Sequence, residues 1–579
     1  MWKSLATIRK YLWRYRRGMA AGMLCLVLKD IAAAAQPLMI GNAVDALTHA
    51  LQSRVFVRYA AYLVALSLLQ GISQYGMRVI IIGISRDIEY DLRNDLFRRL
   101  VILSADYYQR TRTGDIMARA TNDLNAVRMM LGPGIMYWTE TSLTFVLAIA
   151  VMVSRDWRLA LLSVLPAPAV SLAVIFFGRT IHDRFEHIQA MFSDISSRVQ
   201  ENLAGVRMVR AFVQEKAELR RFEALNREYI AHNIKLVRIQ GVFQPLLEAL
   251  VGITFLVVLW AGGRQVLQGR ISLGSFIMFN TYMGRLVWPM IALGWVVNLM
   301  QRGSASLSRI NQILFERPSI GAPPNATKLH DVRGEIEFAG VSVDYGASRV
   351  LDAIDLRIPA ASTIAIVGHT GSGKSTLVSL IPRLLDPNEG AVLLDGIDLR
   401  SMAPSDLRRQ IGFVPQETFL FSATIAENIA FGVEEAAEEE IRRAAELAGL
   451  ATDIEGFPDG YATMVGERGI TLSGGQKQRT AIARALLRNP RVLILDDALS
   501  SVDTLTEERI LTHLAEVMRS RTVILISHRV STVRQAEQIV VLERGRIVEQ
   551  GTHQELLALG GYYASLSQKQ MLEEELEAI

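Results

Sequence analysis

The chain has 579 residues, of which 50% are hydrophobic and 21% are charged, so it is long enough for several domains and apolar enough for a membrane-embedded part. Its formal net charge is +4, a small excess spread over basic loops, which does not require a surface for binding nucleic acid. The single cysteine, Cys25, excludes an intramolecular disulfide and a cysteine-based metal site.

Hydrophobic residues are concentrated in the first half of the chain. Six apolar stretches cover residues 18–42, 57–85, 134–154, 157–178, 241–263 and 271–300. Each is near or above the roughly 20 residues that a helix needs to cross a bilayer, so we predict a membrane-spanning helix in each. The basic N-terminus is followed by no small-residue cleavage site, which favours a first transmembrane helix over a removed signal peptide.

The loops between these stretches alternate in length and in charge. The first, third and fifth are short, whereas the second (86–133) and the fourth (179–240) are long and dense in Arg and Lys. Together with the basic N-terminus, this asymmetry places the long loops and both chain ends in the cytoplasm. We therefore predict a multi-pass protein of the cell (inner) membrane, with the lipid bilayer as its surroundings.

Several ionisable residues fall inside or beside the apolar stretches. Charges at membrane depth are costly, so such residues either line a transport pathway or pair with one another inside the protein. The sequence leaves both possibilities open, and it does not name a substrate. The residues are Lys29, Asp30, Arg78, Glu140, Glu248 and Arg285.

The composition changes at about Glu316. Residues 316–334 contain Pro, Gly and Asn without apolar periodicity and are predicted to form a linker. In residues 335–579, short β-branched runs such as "TIAIVG" and "TVILIS" alternate with helical segments, as in an α/β domain. The predicted fold class is an all-α transmembrane domain with six helices (residues 1–315), followed by a cytoplasmic α/β domain.

The α/β domain contains a phosphate-binding loop, "GHTGSGKST" at residues 368–376. It follows a strand and opens a helix, which is the context that the pattern G-x-x-x-x-G-K-[ST] requires. Gly371 and Gly373 let backbone N–H groups face phosphate oxygens. Lys374 neutralises the β and γ phosphates, and Ser375 offers its hydroxyl to Mg²⁺. We predict a P-loop nucleotide-binding domain with ATP and Mg²⁺ as cofactors. The nucleotide-binding residues of the loop are Gly368, Thr370, Gly371, Ser372, Gly373, Lys374, Ser375 and Thr376.

Other polar residues follow the strands of this domain. Asp496 ends the run "RVLIL" and is the metal-side carboxylate that a phosphate loop normally needs. "LSGGQ" at residues 472–476 can present N–H groups and a helix N-terminus to a γ-phosphate. His528 ends the strand "TVILIS" and can reach the γ-phosphate, and Gln416 can supply an amide to the metal or to water. Each feature alone has an equally good structural explanation, but together they indicate an ATP site.

These motifs resemble those of the ATP-binding cassette (ABC) family, specifically half-transporters of the multidrug-exporter type, and the resemblance covers nearly the whole chain. The motifs that carry it are Tyr345, "GHTGSGKST", "VPQE", "LSGGQKQR", "LILDD", "SSVD" and "ISHR". The resemblance implies that Tyr345 stacks on adenine and that two chains form a dimer. ATP would lie between the phosphate loop of one chain and the "LSGGQ" of the other. The residues assigned to nucleotide binding in this way are Ser473, Gly474, Gly475, Gln476 and Asp503.

The same resemblance extends to the two long loops of the membrane part. "YYQRTRTGDIMARATNDL" and "ENLAGVRMVRAFVQEKAELRRF" resemble the cytoplasmic loops that bear coupling helices. The segments around Gly114–Asn122 and Gly205–Gln214 are therefore expected to dock on cassettes, the second one on the cassette of the partner chain.

The sequence departs from the family pattern at Asp497, where the family usually has a glutamate that polarises the attacking water. The shorter side chain withdraws the carboxylate by roughly one C–C bond, and a misplacement of about 1 Å can cost ~10²-fold in rate. We therefore expect a heterodimer in which this chain's site binds ATP but hydrolyses it poorly, while its intact "LSGGQ" completes the site of a glutamate-bearing partner. The candidate catalytic residues are Asp497, His528 and Gln416, and the candidate metal ligands are Ser375, Gln416 and Asp496.

The predicted function is export of hydrophobic or amphipathic compounds, because the family's importers usually keep the membrane and cassette parts on separate chains. Two alternatives stay open: a homodimeric exporter with two slow equivalent sites, and a regulatory subunit that only senses nucleotide. A soluble ATPase acting on nucleic acid is excluded if the six apolar stretches insert into a membrane, and we expect no nucleic acid among the partners.

Overall fold

The computed structural model describes residues 2–49, 53–346, 348–466, 469, 471–502 and 504–577. The chain divides into two compact units. The first comprises Met1–Val101 and Arg112–Glu316, and the second comprises Ile102–Thr111 and Arg317–Ile579. A short piece of the second predicted loop, residues 102–111, therefore groups with the second unit.

Helices make up the first unit. Their bounds, in chain order and including the helix of residues 102–111, are α1 (Trp2–Arg14), α2 (Arg16–His49), α3 (Ser53–Ile102), α4 (Ala105–Arg110), α5 (Thr113–Ala118), α6 (Leu124–Met129), α7 (Ile135–Arg155), α8 (Trp157–Val164), α9 (Ala167–Ala204), α10 (Val206–Ala211), α11 (Glu215–Leu267) and α12 (Leu273–Phe315). Two π-helical turns, Arg119–Asp123 and Met130–Gly134, join α5, α6 and α7 into one continuous helix.

Six helices among the described residues are long and apolar enough to cross a membrane. They are Arg16–Thr48, Ser53–Ile102, Thr113–Arg155, Trp157–Ala204, Glu215–Leu267 and Leu273–Phe315. Each apolar stretch found in the sequence falls on one of them, except that the sixth stretch begins two residues before its helix. The predicted all-α class of this part is confirmed.

Polar side chains fix the start of α12 against the end of α2. The hydroxyl of Ser272 caps α12 by accepting from the backbone N–H of Ser275 at 3.1 Å. The same hydroxyl donates to Asp45 Oδ2 at 2.5 Å, and the N–H of Gly274 donates to Asp45 Oδ1 at 2.7 Å. One carboxylate at the end of α2 therefore binds the first turn of α12.

A proline lies inside α2, and α12 compensates for it. Pro37 has no N–H, so the carbonyl of Ala33, four residues earlier, lacks its helical donor. The guanidinium of Arg285 on α12 donates to this carbonyl and also to Gln36 Oε1 at 2.5 Å. Arg285, one of the charges found within the apolar stretches, thus has a structural role in this fold.

The other charges within the apolar stretches divide into two groups. Lys29 on α2 forms ion pairs with Asp30 at 2.9 Å and with Glu140 on α7, and Lys29 and Asp30 are both buried. Arg78 and Glu248 are exposed on the surface of the chain. Lys29, Asp30 and Glu140 therefore pair with one another, which lowers the cost of keeping charges inside a helical bundle.

The two loop segments that are expected to dock on cassettes differ in local structure. Val206–Ala211 is a separate short helix, α10, between two long ones, as the resemblance implies. Gly114–Asn122 instead lies within the continuous helix Thr113–Arg155, and the separate short helix in this loop is α4, Ala105–Arg110. In the second unit, α4 contacts the start of the linker: Ser319 donates to Asp106 at 3.0 Å.

The second unit contains two sheets among the described residues. The strands are β1 (Ile336–Tyr345), β2 (Ser348–Ile358), β3 (Thr363–Val367), β4 (Glu389–Leu394), β5 (Ile397–Asp398), β6 (Ile411–Val414), β7 (Val492–Asp496), β8 (Thr522–Ile526), β9 (Gln538–Glu543) and β10 (Arg546–Gly551). The antiparallel sheet has the order β2-β1-β4-β5, and the larger one has the order β10-β9-β3-β8-β7-β6, with only β10 antiparallel.

Helices cover the larger sheet, and its central strands are buried on both faces. Along β7, Leu493 and Leu495 join one apolar cluster, whereas Val492 and Ile494 join the cluster on the opposite face. Such continuous apolar strands are typical of parallel sheets covered on both sides. The helices are α13 (Lys374–Leu380), α14 (Pro404–Arg409), α15 (Ile425–Ala430), α16 (Glu438–Leu447), α17 (Ala451–Glu455), α18 (Gly474–Leu487), α19 (Thr504–Met518), α20 (Val530–Val533), α21 (His553–Leu559) and α22 (Tyr562–Glu577).

Candidate nucleotide site

The phosphate loop connects β3 to α13 through glycines with left-handed backbone angles. Gly371 has φ +81° and Gly373 has φ +103°, values that residues with a side chain rarely adopt. A Cβ on Gly373 would also come within 2.8 Å of Leu351 Cδ2 and 3.0 Å of the Val350 carbonyl oxygen. The loop can therefore keep this shape only with glycine at these positions.

Lys374 lies under the loop. Its Nζ donates to the carbonyl oxygens of Gly368 at 2.8 Å and His369 at 2.9 Å, and the residue is buried. Burial lowers the pKa of the ammonium group, whereas the charges of Asp496 and Asp497 act in the opposite direction. The loop thus holds a cation whose only hydrogen-bond acceptors in the described structure are neutral carbonyls, an arrangement suited to an incoming phosphate.

Asp496 ends β7 beside the phosphate loop. It is only 4% exposed, and its Oδ1 has no hydrogen-bond partner among the described residues. Burial raises the pKa of this carboxyl, and a hydrogen bond from Ser375 partly offsets that effect. A buried, incompletely paired carboxylate oxygen next to a hydroxyl fits a hard cation such as Mg²⁺, which prefers oxygen ligands.

A cleft of about 310 Å³ brings most of the predicted site residues together. The carboxyl ends of the parallel strands β3, β7 and β8 meet at this edge of the sheet, which is where ligands of such sheets bind. The cleft is lined by Tyr345, Val350, Thr370, Gly371, Gly373, Lys374, Ser375, Thr376, Gln416, Asp496, Asp497, Ile526 and His528. Tyr345, Gln416 and His528 have exposed side chains within it.

Asp497 occupies an unusual backbone conformation next to Asp496. Its φ is +50°, a left-handed value that aspartate adopts more readily than most residues. Its N–H donates to the carbonyl of Ile526 at 2.9 Å, and its own carbonyl accepts from the Ser500 hydroxyl at 2.9 Å. Since the backbone is held on both sides, the reach of the carboxylate depends on the length of the side chain.

The "LSGGQ" stretch begins α18 and does not line this cleft in the described part of the chain. Ser473 and Gln476 form a reciprocal capping box, with the Ser473 hydroxyl accepting from Gln476 N–H at 3.3 Å. Ser473 and Gly474 are exposed, and Gly475 and Gln476 are half-buried. The N-terminus of α18 is therefore accessible to a ligand, but not to one held by the phosphate loop of the same chain.

Two residues predicted in the phosphate loop do not line the cleft, and one further predicted residue is not described. Gly368 and Ser372 support the loop but do not line the cleft: Ser372 is buried, and its N–H donates to the His369 carbonyl. Asp503 lies outside the described residues.

The structure also adds residues that the motifs did not indicate. Val350 and Ile526 line the cleft as apolar strand residues without any local pattern. Gln478 was included only within "LSGGQKQR", but it connects that segment to "SSVD": its Oε1 accepts from Ser501 N–H at 2.9 Å and its Nε2 donates to the Ser500 hydroxyl at 3.0 Å.

Two family models match the chain. One described as "ABC transporter transmembrane region" covers residues 19–290, and one described as "ABC transporter" covers residues 351–500. The first falls on the long helices, and the second contains the phosphate loop, "LSGGQ" and both aspartates of the cleft.

Known proteins match along nearly the whole chain. The chain is 37% identical to the probable multidrug resistance ABC transporter ATP-binding/permease protein YheI of Bacillus subtilis (strain 168), covering 93% of this chain and 92% of that protein. It is 35% identical to the ATP-dependent lipid A-core flippase of Syntrophus aciditrophicus (strain SB), covering 96% and 93%. The solved structure of a bacterial Atm1-family ABC exporter with ATP bound matches with TM-score 0.81 and 29% identity, covering 96% and 98%.

Proposed function

This chain belongs to the ABC transporters that fuse a transmembrane region with an ATP-binding domain, and on that premise we propose that it is one subunit of a heterodimeric exporter with unequal ATP sites. The chain is a multi-pass membrane protein, and its family couples ATP hydrolysis to export of the multidrug or lipid type. In the proposed heterodimer, this chain's phosphate loop holds ATP and turns it over slowly, and its "LSGGQ" completes a faster site on the partner.

The proposal rests mainly on the presence of aspartate, rather than glutamate, at position 497. A general base must come within hydrogen-bond reach of the water that it activates, about 3 Å. The backbone of Asp497 is fixed by the contacts to Ile526 and Ser500, so the loss of one methylene relative to glutamate shortens the reach of the carboxylate into the cleft. ATP binding does not depend on that methylene.

The remaining residues of the cleft supply binding. Lys374 and the loop N–H groups would bind the β and γ phosphates, and Tyr345 would stack on the adenine. Ser375, Asp496 and Gln416 would hold Mg²⁺, which when bound neutralises charge on the β and γ phosphates. His528 would contact the γ-phosphate. These groups are in place in the cleft, which favours a site competent to bind ATP over a merely structural domain.

The proposal extends to location and substrate. We propose that the ATP-binding domain and both chain ends lie on the cytoplasmic side of the cell (inner) membrane, which the Arg- and Lys-rich long loops support. The exported compounds would be hydrophobic or amphipathic, entering from the inner leaflet or the cytoplasm. A homodimer with two slow sites is the alternative that uses the same cleft, and the Asp497 experiment separates the two.

Asp497→Asn is expected to leave most ATPase activity of the assembled heterodimer intact, because the site that it alters already turns over slowly. Replacing the partner's glutamate at the matching position with glutamine should abolish nearly all activity. Steady-state phosphate release by the purified transporter measures both, with the surface change Asp459→Asn as a control for loss of a carboxylate. Equal losses from the two substitutions would instead favour equivalent sites.

Asp497→Glu tests the same geometry in the opposite direction. The added methylene should raise turnover at this chain's site, provided that the backbone keeps its φ near +50°, which glutamate adopts less readily than aspartate. Single-turnover hydrolysis, with the partner's phosphate loop inactivated, reports this site alone. A rate no higher than that of the native chain would show that side-chain length is not what limits it.

The short helix α10 is expected to dock on the partner's ATP-binding domain. It exposes large apolar side chains that a docked partner would cover: Met208 within the helix is 61% exposed, and Phe212 directly after it is 65% exposed. Single cysteines at positions 206–212, paired with cysteines on the partner's domain, should form crosslinks between the chains. Cys25 is the only native cysteine, so Cys25→Ser gives the background. Crosslinks confined to one chain would contradict this arrangement.

A further inference from the structure

The C-terminal helix α22 contacts two loops of the nucleotide cleft. At its first residue, the Tyr562 ring packs against the His369 ring of the phosphate loop, with centroids 4.6 Å apart and planes at 61°. Eight residues later, Gln570 Nε2 donates to the carbonyl of His528 at 2.5 Å, and Gln570 Oε1 accepts from the N–H of Val530 at 2.7 Å. One helix therefore touches the loop that carries Lys374 and the loop that carries His528.

Gln570 holds the loop that carries His528, a segment that belongs to neither a helix nor a strand. β8 ends at Ile526 and α20 begins at Val530, so residues 527–529 belong to neither element. The carboxamide pairs its donor and its acceptor with the backbone groups on either side of Arg529. Because these bonds fix the backbone that carries His528, they fix the direction in which its side chain leaves the backbone.

The loop also has one internal hydrogen bond and contacts from Arg529 to residues that follow Asp497 in the chain. The N–H of Arg529 donates to the Ser527 hydroxyl at 3.0 Å, and its guanidinium donates to the Val502 carbonyl at 3.1 Å and pairs with Glu507. These bonds hold the loop to the segment that follows Asp497. Gln570 is thus the contact that ties the loop to the C-terminal helix.

We propose that Gln570 is a positioning residue that orients His528 toward the γ-phosphate, so that docking of α22 controls how well this chain's site distinguishes ATP from ADP. The inference rests on the proposed contact of His528 with the γ-phosphate. Neither Gln570 nor α22 touches nucleotide in this scheme, and the effect is transmitted through the loop backbone alone.

Gln570→Ala removes both hydrogen bonds and is expected to lower ATP affinity at this site by about 5- to 10-fold. This is the loss expected when two neutral hydrogen bonds are removed and only part of their energy affects ligand binding. ADP affinity should change by less than about twofold, since ADP lacks the γ-phosphate. Equilibrium binding of labelled ATP and ADP measures both, using the assembled transporter with the partner's phosphate-loop lysine replaced so that only this chain's site binds.

Matched variants separate positioning from a general loss of structure. Gln568→Ala changes the same residue type on the same helix, where the side chain is exposed, and should leave both affinities unchanged. Gln570→Met keeps the length of the side chain without its hydrogen-bonding groups and should reproduce Gln570→Ala. Native ADP affinity in each variant confirms that the site is folded.

A double-mutant cycle with His528→Ala decides whether the effect passes through His528. If it does, Gln570→Ala has little further effect on ATP affinity once His528 is removed. The inference is overturned if Gln570→Ala and Gln570→Met leave ATP affinity unchanged while His528→Ala lowers it, or if the two losses add in full. If His528→Ala itself leaves the ratio of ATP to ADP affinity unchanged, the proposed role of His528 has failed, and the inference falls with it.

Discussion

Ser473→Arg in this chain is expected to remove nearly all ATPase activity of the assembled transporter, although Ser473 lies outside this chain's own cleft. In the proposed heterodimer, the N-terminus of α18 faces the ATP held by the glutamate-bearing partner. Backbone N–H groups and the positive end of the helix dipole bind anionic oxygens there. An arginine side chain at this exposed cap would fill the space of the γ-phosphate and remove the capping box with Gln476. The faster site would then lack half of its phosphate contacts.

The control for this substitution is Thr552→Arg. Thr552 is also an exposed N-cap with a capping box, to Glu555 at the start of α21, so its replacement costs a similar amount of helix stability, about 1 kcal/mol. It is expected to retain near-native ATPase activity, measured by phosphate release. Ser473→Arg should leave ATP binding at this chain's own phosphate loop unaltered. Retention of substantial ATPase activity in Ser473→Arg would contradict a faster site completed by this chain.

Lys374→Ala is expected to weaken ATP binding at this chain's site by roughly 10- to 150-fold, which corresponds to the loss of hydrogen bonds to a charged group worth about 1.5–3 kcal/mol. The ammonium group is buried beneath the loop and is held by the carbonyls of Gly368 and His369, so the substitution removes a cation that is already in position for phosphate. The alanine variant also leaves the negative charges of Asp496 and Asp497 without their nearby cation, which adds repulsion toward the phosphates.

Binding of labelled ATP to the purified dimer measures this effect, because the number of ATP molecules bound per dimer shows whether one of the two sites is lost. Lys328→Ala, which removes an exposed lysine of the same unit, is the matched control and should leave both sites occupied. Since the proposed slow site contributes little turnover, Lys374→Ala should reduce nucleotide occupancy more than ATPase activity. Unchanged affinity at both sites would refute the assignment of Lys374 to the phosphates.

The features that sequence alone predicted are those encoded by neighbouring residues. An apolar run long enough to span a bilayer and the order strand, Gly-rich loop, helix around Lys374 both depend on residues close together in the chain. The six long helices and the α/β domain follow from such patterns, and the structure confirms both. Most of the cleft could also be foreseen, because the phosphate loop, Asp496 and His528 stand at the ends of parallel strands that share one edge of the sheet.

The remaining features depend on contacts between distant segments. Gln570 is an ordinary glutamine in a polar helix, and only the folded chain shows that it reaches residues 528 and 530. Arg285 could not be assigned from its sequence position, because its acceptor is a carbonyl freed by a proline about 250 residues earlier. The sequence did not locate the short helix of the second loop, because the helical path breaks at Leu103–Ser104 before α4 and at Thr111–Arg112 after it, where no proline or glycine marks a break.

Hydrogen bonds at two levels join α2 to α12 and limit how these helices can move relative to each other. Asp45 holds the first turn of α12, and Arg285, three turns further along, holds the carbonyl of Ala33. Sliding one helix past the other would leave a carbonyl and a guanidinium without partners in hydrocarbon, and each such group costs several kcal/mol. In the described conformation these contacts therefore couple α2 to α12, and any motion that separates the two helices has to break both sets of hydrogen bonds.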